Sequence, residues 1–188
     1  MKKVFPLLCA VILLGGCASM RIEDFANEKP ELILEEFFNG RLTAYGLIKD
    51  RRGRITSSFR ADFVGSWSEE GLGTLDEVFV YNDGDVQERV WTFEPIGDHR
   101  YIGTAPDIVG QADMLVKGNT LRMDYVIRVP YRNRTIDLSV QDWLHLQPDG
   151  VILNHAYMRK FGLRVAELVV TIIKDFPDTT KQGEPIHE

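Results

Sequence analysis

Cysteine is nearly missing from this chain of 188 residues: there are two, Cys9 and Cys17. Beyond Cys17 no disulfide can close, and no thiol is present for catalysis or metal binding. Long hydrophobic runs are missing too. The longest, Val4 to Leu14, is broken by Pro6 and falls well short of the roughly 20 apolar residues that a membrane-spanning helix needs. An excess of positive charge is absent: 22 basic residues stand against 28 acidic ones, which argues against a nucleic-acid partner. No nucleophile elbow, zinc-protease helix, phosphate loop or dinucleotide fingerprint occurs. These absences remove the local signatures of several enzyme classes, although a triad can still assemble from distant residues.

What is present begins with an address. Met1-Lys2-Lys3 is a positive leader, Val4 to Leu14 an apolar core, and Gly15 and Gly16 are the small residues that precede a cleavage point. Leu14-Gly15-Gly16-Cys17 fits the lipobox of a lipoprotein signal peptide, so residues 1–16 are expected to be removed and Cys17 to carry lipid. The other readings are an ordinary secretory peptide in which Cys17 is incidental, or a buried core segment. Cleavage would leave 20 basic and 28 acidic residues, a balance of −8. Each buried methylene contributes about 0.8 kcal/mol, and one acyl chain holds only marginally, so the two or three chains of a lipoprotein anchor firmly. Ala18 follows the cysteine where an aspartate commonly retains lipoproteins at the inner membrane. The expected location is therefore the periplasmic face of the outer membrane, with the inner membrane as the alternative.

Residues 17–30 read as the lipidated N-terminus and a polar tether, with a coil reach of roughly 20 Å. Residues 31–176 read as one β domain, and residues 177–188 as a disordered tail. Within the domain, Glu31 to Phe38 predicts a short helical turn that offers Leu32, Leu34, Phe37 and Phe38 to a core. From Gly40 onward the pattern is strands. Leu121, Met123, Tyr125, Ile127 and Val129 alternate with polar residues, as do Ile136, Leu138 and Val140. Asp83-Gly84, Gly118-Asn119 and Pro148-Asp149-Gly150 separate such runs as hairpin turns. Short connections require antiparallel neighbours. A series of about eight to ten strands relieves its edges best by closing into an up-and-down barrel, with a two-sheet sandwich as the alternative.

Aromatic residues are placed to line such a barrel: Phe59, Phe63, Trp67, Phe79, Trp91, Phe93, Tyr101, Tyr125, Trp143 and Tyr157. They either fill the interior or wall a ligand cavity. Charges within strands say more. Arg89 shares a face with Trp91, Asp76 with Val78 and Val80, and Asp142 with Leu138 and Val140. A buried charge must be paired, either inside the fold, as an Arg89–carboxylate bridge, or with a ligand headgroup. His145 and His155 flank one turn, and with Asp142 would make a conceivable zinc site; surface histidines are the plainer reading. Two basic clusters, Lys49/Arg51/Arg52/Arg54 and Arg128/Arg132/Arg134, are either solvated turns or contacts to anionic headgroups.

Certain strings resemble a known family: Phe37-Phe38-Asn39-Gly40-Arg41-Leu42-Thr43-Ala44-Tyr45-Gly46, Asp76-Glu77-Val78-Phe79, Asp83-Gly84, Arg89-Val90-Trp91, Asp142-Trp143-Leu144 and Asn154-His155-Ala156-Tyr157-Met158-Arg159-Lys160-Phe161-Gly162. Over Pro30 to Lys174 the chain is similar to the proteobacterial lipoproteins of domain-of-unknown-function family 3833. The resemblance implies a calycin-like barrel behind a lipoprotein signal. Some members are encoded near lipid-modifying genes, which leans toward a lipid-related role. The family has no established activity and no established site residues to transfer.

The expectation from sequence is thus an all-β, calycin- or lipocalin-like barrel with a short N-terminal helical segment. It would be a membrane-anchored, non-enzymatic lipoprotein that binds a small hydrophobic or lipid-like molecule. Trp91, Tyr125 and Trp143 would wall the pocket and Arg89 would orient a polar head, with no cofactor and no metal. The rivals are a structural or assembly lipoprotein with a filled barrel, and a lipid-acting enzyme using Asp142 or His155 as acid or base.

Overall fold

The computed structural model describes residues 20–175; the expected signal peptide (1–16), Cys17 and the expected disordered tail (177–188) lie outside them. A 3₁₀ turn, Ile22–Phe25, and a one-turn helix α1, Leu34–Phe37, precede ten strands. These are β1 (Gly40–Asp50), β2 (Ile55–Trp67), β3 (Gly73–Tyr81), β4 (Val86–Gly97), β5 (Arg100–Thr104), β6 (Ala112–Lys117), β7 (Thr120–Tyr131), β8 (Arg134–Leu146), β9 (Val151–Lys160) and β10 (Leu163–Lys174). Each pairs antiparallel with its sequence neighbour, and β1 pairs with β10, Leu42 opposite Lys174, which closes the barrel. Ten strands stand at the upper end of the expected eight to ten. The sandwich is excluded, because a closed barrel has no edges.

Alternation sorts the side chains. Along β3, Leu75, Glu77 and Phe79 are buried, whereas Asp76, Val78 and Val80 are exposed. Eight of the ten aromatic residues named above belong to the interior or pack against it; Trp143 and Tyr157 do not. The short length of β6 has a consequence at the site. It pairs with only the first part of β7, from Thr120 to Asp124. The loop between β5 and β6 covers the rest: Val109 N–H donates to Val126 O (2.8 Å) and Arg128 N–H to Asp107 O (2.7 Å). That fold-over carries Asp107 to the barrel interior.

The two ends of the barrel differ. One, where β1 starts and β10 finishes, is plugged by α1, whose Leu34 and Phe37 are buried together with Leu32 and Phe38. Tyr101 Oη donates to Glu35 there (2.8 Å), and Lys174 Nζ donates to Glu36 O. Close approach is possible because Gly65 lies under the backbone of Phe38, where a Cβ would fall 1.6 Å from the carbonyl oxygen. The other end carries the turns β1–β2, β3–β4, β7–β8 and β9–β10 and the β5–β6 loop.

Within the expected tether, the described part is not a free coil. Ile22 is buried, and Leu32 N–H donates to Gly118 O (2.8 Å) at the β6–β7 turn. The Phe25 ring lies 6.1 Å from Trp143 and 5.0 Å from His145. The segment is polar by composition, but a few apolar residues suffice to seat it on the outer wall near the plugged end.

Candidate functional site

Inside the barrel lies a cavity of about 360 Å³, within the size range of small-molecule pockets. Its floor is Leu34 and Phe38. Its lining reaches the exposed Gln87, Arg128 and Pro130 at the far end, which is therefore its mouth. The wall is mainly apolar, and nine of its residues are aromatic. Trp91 stacks on Phe93 (centroids 6.0 Å, 15°) and meets Tyr125 edge to face (5.7 Å).

A polar cluster interrupts this wall. Arg89 Nε donates to Glu77 Oε2 (2.6 Å), and Nη1 donates to Asp107 Oδ2 (3.4 Å). The guanidinium also lies over the rings of Phe79 (5.2 Å) and Trp91 (5.4 Å), where the ring quadrupole favours a cation. Deeper in, Asp142 accepts from Tyr125 Oη (3.2 Å) and from Asn154 Nδ2. Asn154 Nδ2 also donates to Trp143 O (3.0 Å). Burial raises the Glu77 carboxyl above its ordinary value, against the pull of Arg89. Burial likewise raises Asp142, against Asn154 and Tyr125. It also raises Tyr125, to which the Asp142 charge adds. Asp107 Oδ1 is buried without a hydrogen-bond partner. The cluster thus holds one guanidinium and three carboxyl groups.

The site residues expected from sequence divide. Arg89, Trp91 and Tyr125 line the cavity. Trp143 does not. Neighbours on a strand point to opposite faces, so with Asp142 inside, Trp143 must face out, and it is buried there between Phe25 and the Arg122 guanidinium (5.3 Å). Asp76 is exposed as well; its neighbour Glu77 is the inward charge. The signal for Glu77 was its parity with Leu75, Phe79 and Tyr81. Asp107 sits on a loop, where periodicity gives no signal.

His145 and His155 lie on the outer face, opposite in direction to Asp142, so the zinc reading fails on parity. His145 Nδ1 is 2.8 Å from Thr120 Oγ1, and His155 Nε2 is 2.9 Å from Glu167. No described histidine lines the cavity. The two basic clusters come together in part, at the mouth: Lys49 pairs with Glu167 instead (3.4 Å), and Arg132 does not border the shared groove. Turns β1–β2, β9–β10 and β7–β8 are consecutive around the barrel, and Arg51, Arg52, Arg54, Arg128, Arg134 and Lys160 border one groove there. Arg54 is paired with Asp50 (2.6 Å) and Arg128 with Asp137 (2.8 Å). At the β9–β10 tip Phe161 is 93% exposed and has φ of +52°, a conformation uncommon for a bulky residue.

Gly118→Ala is expected to release the N-terminal segment. The new Cβ would sit 2.0 Å from Phe25 O and 2.8 Å from Glu28 O, at a φ of +53°. The cost is about 1–3 kcal/mol, and the Trp143 fluorescence should shift to the red. Unchanged emission in a stably folded variant would refute this seating.

A closed ten-stranded up-and-down barrel, helix-plugged at one end and hollow within, places the protein among calycin-like barrels. The chain belongs to the family described as "Protein of unknown function (DUF3833)", whose profile matches residues 11–174. Among solved structures it is similar to the S-type phycobiliprotein lyase CPES from Guillardia theta, with a TM-score of 0.56 and 10% identity, over 78% of this chain and 94% of that one. At that identity the likeness concerns the fold. No curated protein matches the chain.

Proposed function

We propose that this protein is a lipid-anchored envelope protein whose barrel holds a small hydrophobic or lipid-like molecule. The carrying observation is the cavity of about 360 Å³ with its mainly apolar wall and buried polar cluster. A structural barrel that acts only through its surface has no need of a hollow interior, and core side chains normally pack without large voids. A lipid-acting enzyme using Asp142 or His155 receives less support: His155 faces away from the cavity and pairs with Glu167, and Asp142, which does line it, is held by Tyr125 and Asn154. Anchoring rests on Leu14-Gly15-Gly16-Cys17, and the outer membrane facing the periplasm on Ala18.

Native mass spectrometry of the protein extracted in mild detergent from its own membrane tests both parts. The expected spectrum shows a chain that begins at Cys17 with added acyl mass, and a further species that leaves on collisional activation. Repeated failure to find or load any hydrophobic molecule would return the structural reading. A chain that retains residues 1–16, or one without acyl mass, would remove the anchor.

A further inference from the structure

We propose that the arginine side of the mouth is a docking surface for an anionic bilayer. The rim is divided by charge. Its consecutive turns β1–β2, β9–β10 and β7–β8 border a groove with six basic side chains and two acidic ones, Asp50 and Asp137. Those two carboxylates are taken by Arg54 and Arg128. Arg51, Arg52 and Arg134 are exposed and form no ion pair among the described residues. Across the mouth, the β3–β4 turn carries Asp83 and Asp85, and neither it nor the β5–β6 loop contains a lysine or an arginine. The chain as a whole stands at −6, so this side of the rim runs against the prevailing charge. An approaching anionic surface would be drawn to it and repelled by the rest.

Apolar side chains stand among these cations. Phe161, Leu163, Ile55 and Tyr131 are all exposed, and all four fall on or beside the same three turns. A single exposed apolar residue needs no explanation, but four on neighbouring tips call for one. Such a mixture suits the headgroup zone of a bilayer, where cations meet lipid phosphates and apolar groups reach the acyl boundary. Arginines alone would suit an acidic protein equally. The projecting ring of Phe161 favours lipid, which needs no matching pocket to receive it. With an anchor on Cys17 at the plugged end, the surface met at the mouth would belong to a facing bilayer. Docking requires no cargo in the cavity.

The test uses the full chain carrying Cys17→Ser, so that no acyl chain can hold it. Co-sedimentation is measured at low salt with vesicles of phosphatidylcholine, alone or mixed with phosphatidylglycerol. Binding to the mixed vesicles is expected to fall about fivefold for each of Arg51→Ser, Arg52→Ser and Arg134→Ser, the factor one basic side chain contributes near an anionic surface. It should also weaken as salt is raised, because screening shortens the reach of the charges. Phe161→Trp in the same chain reads the rim directly, whatever residues 1–16 do. Its emission is expected to move to the blue on mixed vesicles and to be quenched by brominated acyl chains. No preference for the mixed vesicles, equal binding by parent and triple variant, or an unshifted emission in the bound chain would each overturn the proposal. Retention on polyglutamate together with indifference to vesicles would overturn it in favour of an acidic protein.

Discussion

Arg89→Met is expected to cost about 3–5 kcal/mol of folding stability above neutral pH, the usual penalty for removing one partner of a buried ion pair. Arg89 is the cation facing Glu77, which is 6% exposed, and it also holds the loop residue Asp107. The loss should depend on pH in a definite direction. Burial already holds the Glu77 pKa above 4.5 in the folded protein, and Arg89 is the main influence lowering it. Without Arg89 the folded value rises further while the unfolded value stays near 4.5. A carboxyl whose pKa is raised by folding keeps its stability below the unfolded pKa and loses it as pH climbs through the folded one. Urea unfolding of parent and variant at slightly alkaline pH and again near pH 4.5 should show the deficit shrinking on the acid side. An equal deficit at both would mean that lost packing against Phe79 and Trp91, not charge, sets the cost.

Gly65→Ala is expected to unseat the plug. Gly65 pairs with Gly40 on one side and Leu75 on the other. The atom its new Cβ would meet at 1.6 Å is the main-chain oxygen of Phe38. A side chain can rotate away from such a clash, but a carbonyl moves only with its helix. The expected cost is about 3 kcal/mol, at the upper end of overpacking effects, or roughly 6–12 °C in Tm for a chain of this size. Proteolysis should then cut within Glu31 to Phe38, which in the parent is shielded by burial of Leu32, Leu34, Phe37 and Phe38. A variant with the parent's melting temperature and cleavage pattern would place the plug elsewhere.

The strands were legible because the barrel wall repeats one physical rule, an apolar residue in and a polar residue out, punctuated by turn residues. Where that rule blurs, reading from sequence misplaces residues. The outer face of β3 carries Val78 and Val80, apolar enough to pass for the inner one, and so the pattern points to Asp76 instead of Glu77. Trp143 is as apolar as any wall residue, but its place next to the inward Asp142 puts it outside, where the N-terminal segment covers it. That cover is a long-range contact from a polar stretch, and local composition carries no sign of it. The Phe161-Gly162 turn was hidden for another reason: aromatic residues rarely take positive φ, so nothing marked this pair as a tight hairpin. The pocket residues found from sequence, Arg89, Trp91 and Tyr125, are those for which alternation left one choice.

The seating of Ile22 and Phe25 beside the β6–β7 turn would fix the orientation of a lipid-anchored molecule. Lipid on Cys17 would be followed by only three further residues up to Met20, which span about 10 Å when fully extended. The barrel would then hang by its plugged base. Its opening would stand on the order of 30 Å higher, the rise of a tilted strand the length of β7. A molecule leaving the anchoring leaflet would meet a sealed floor. Loading and unloading would take place on the side turned toward the water, under a rim of arginines and the bare ring of Phe161. In such a posture a lipid-anchored barrel would exchange a bound molecule with something facing the membrane and not with the leaflet that holds it.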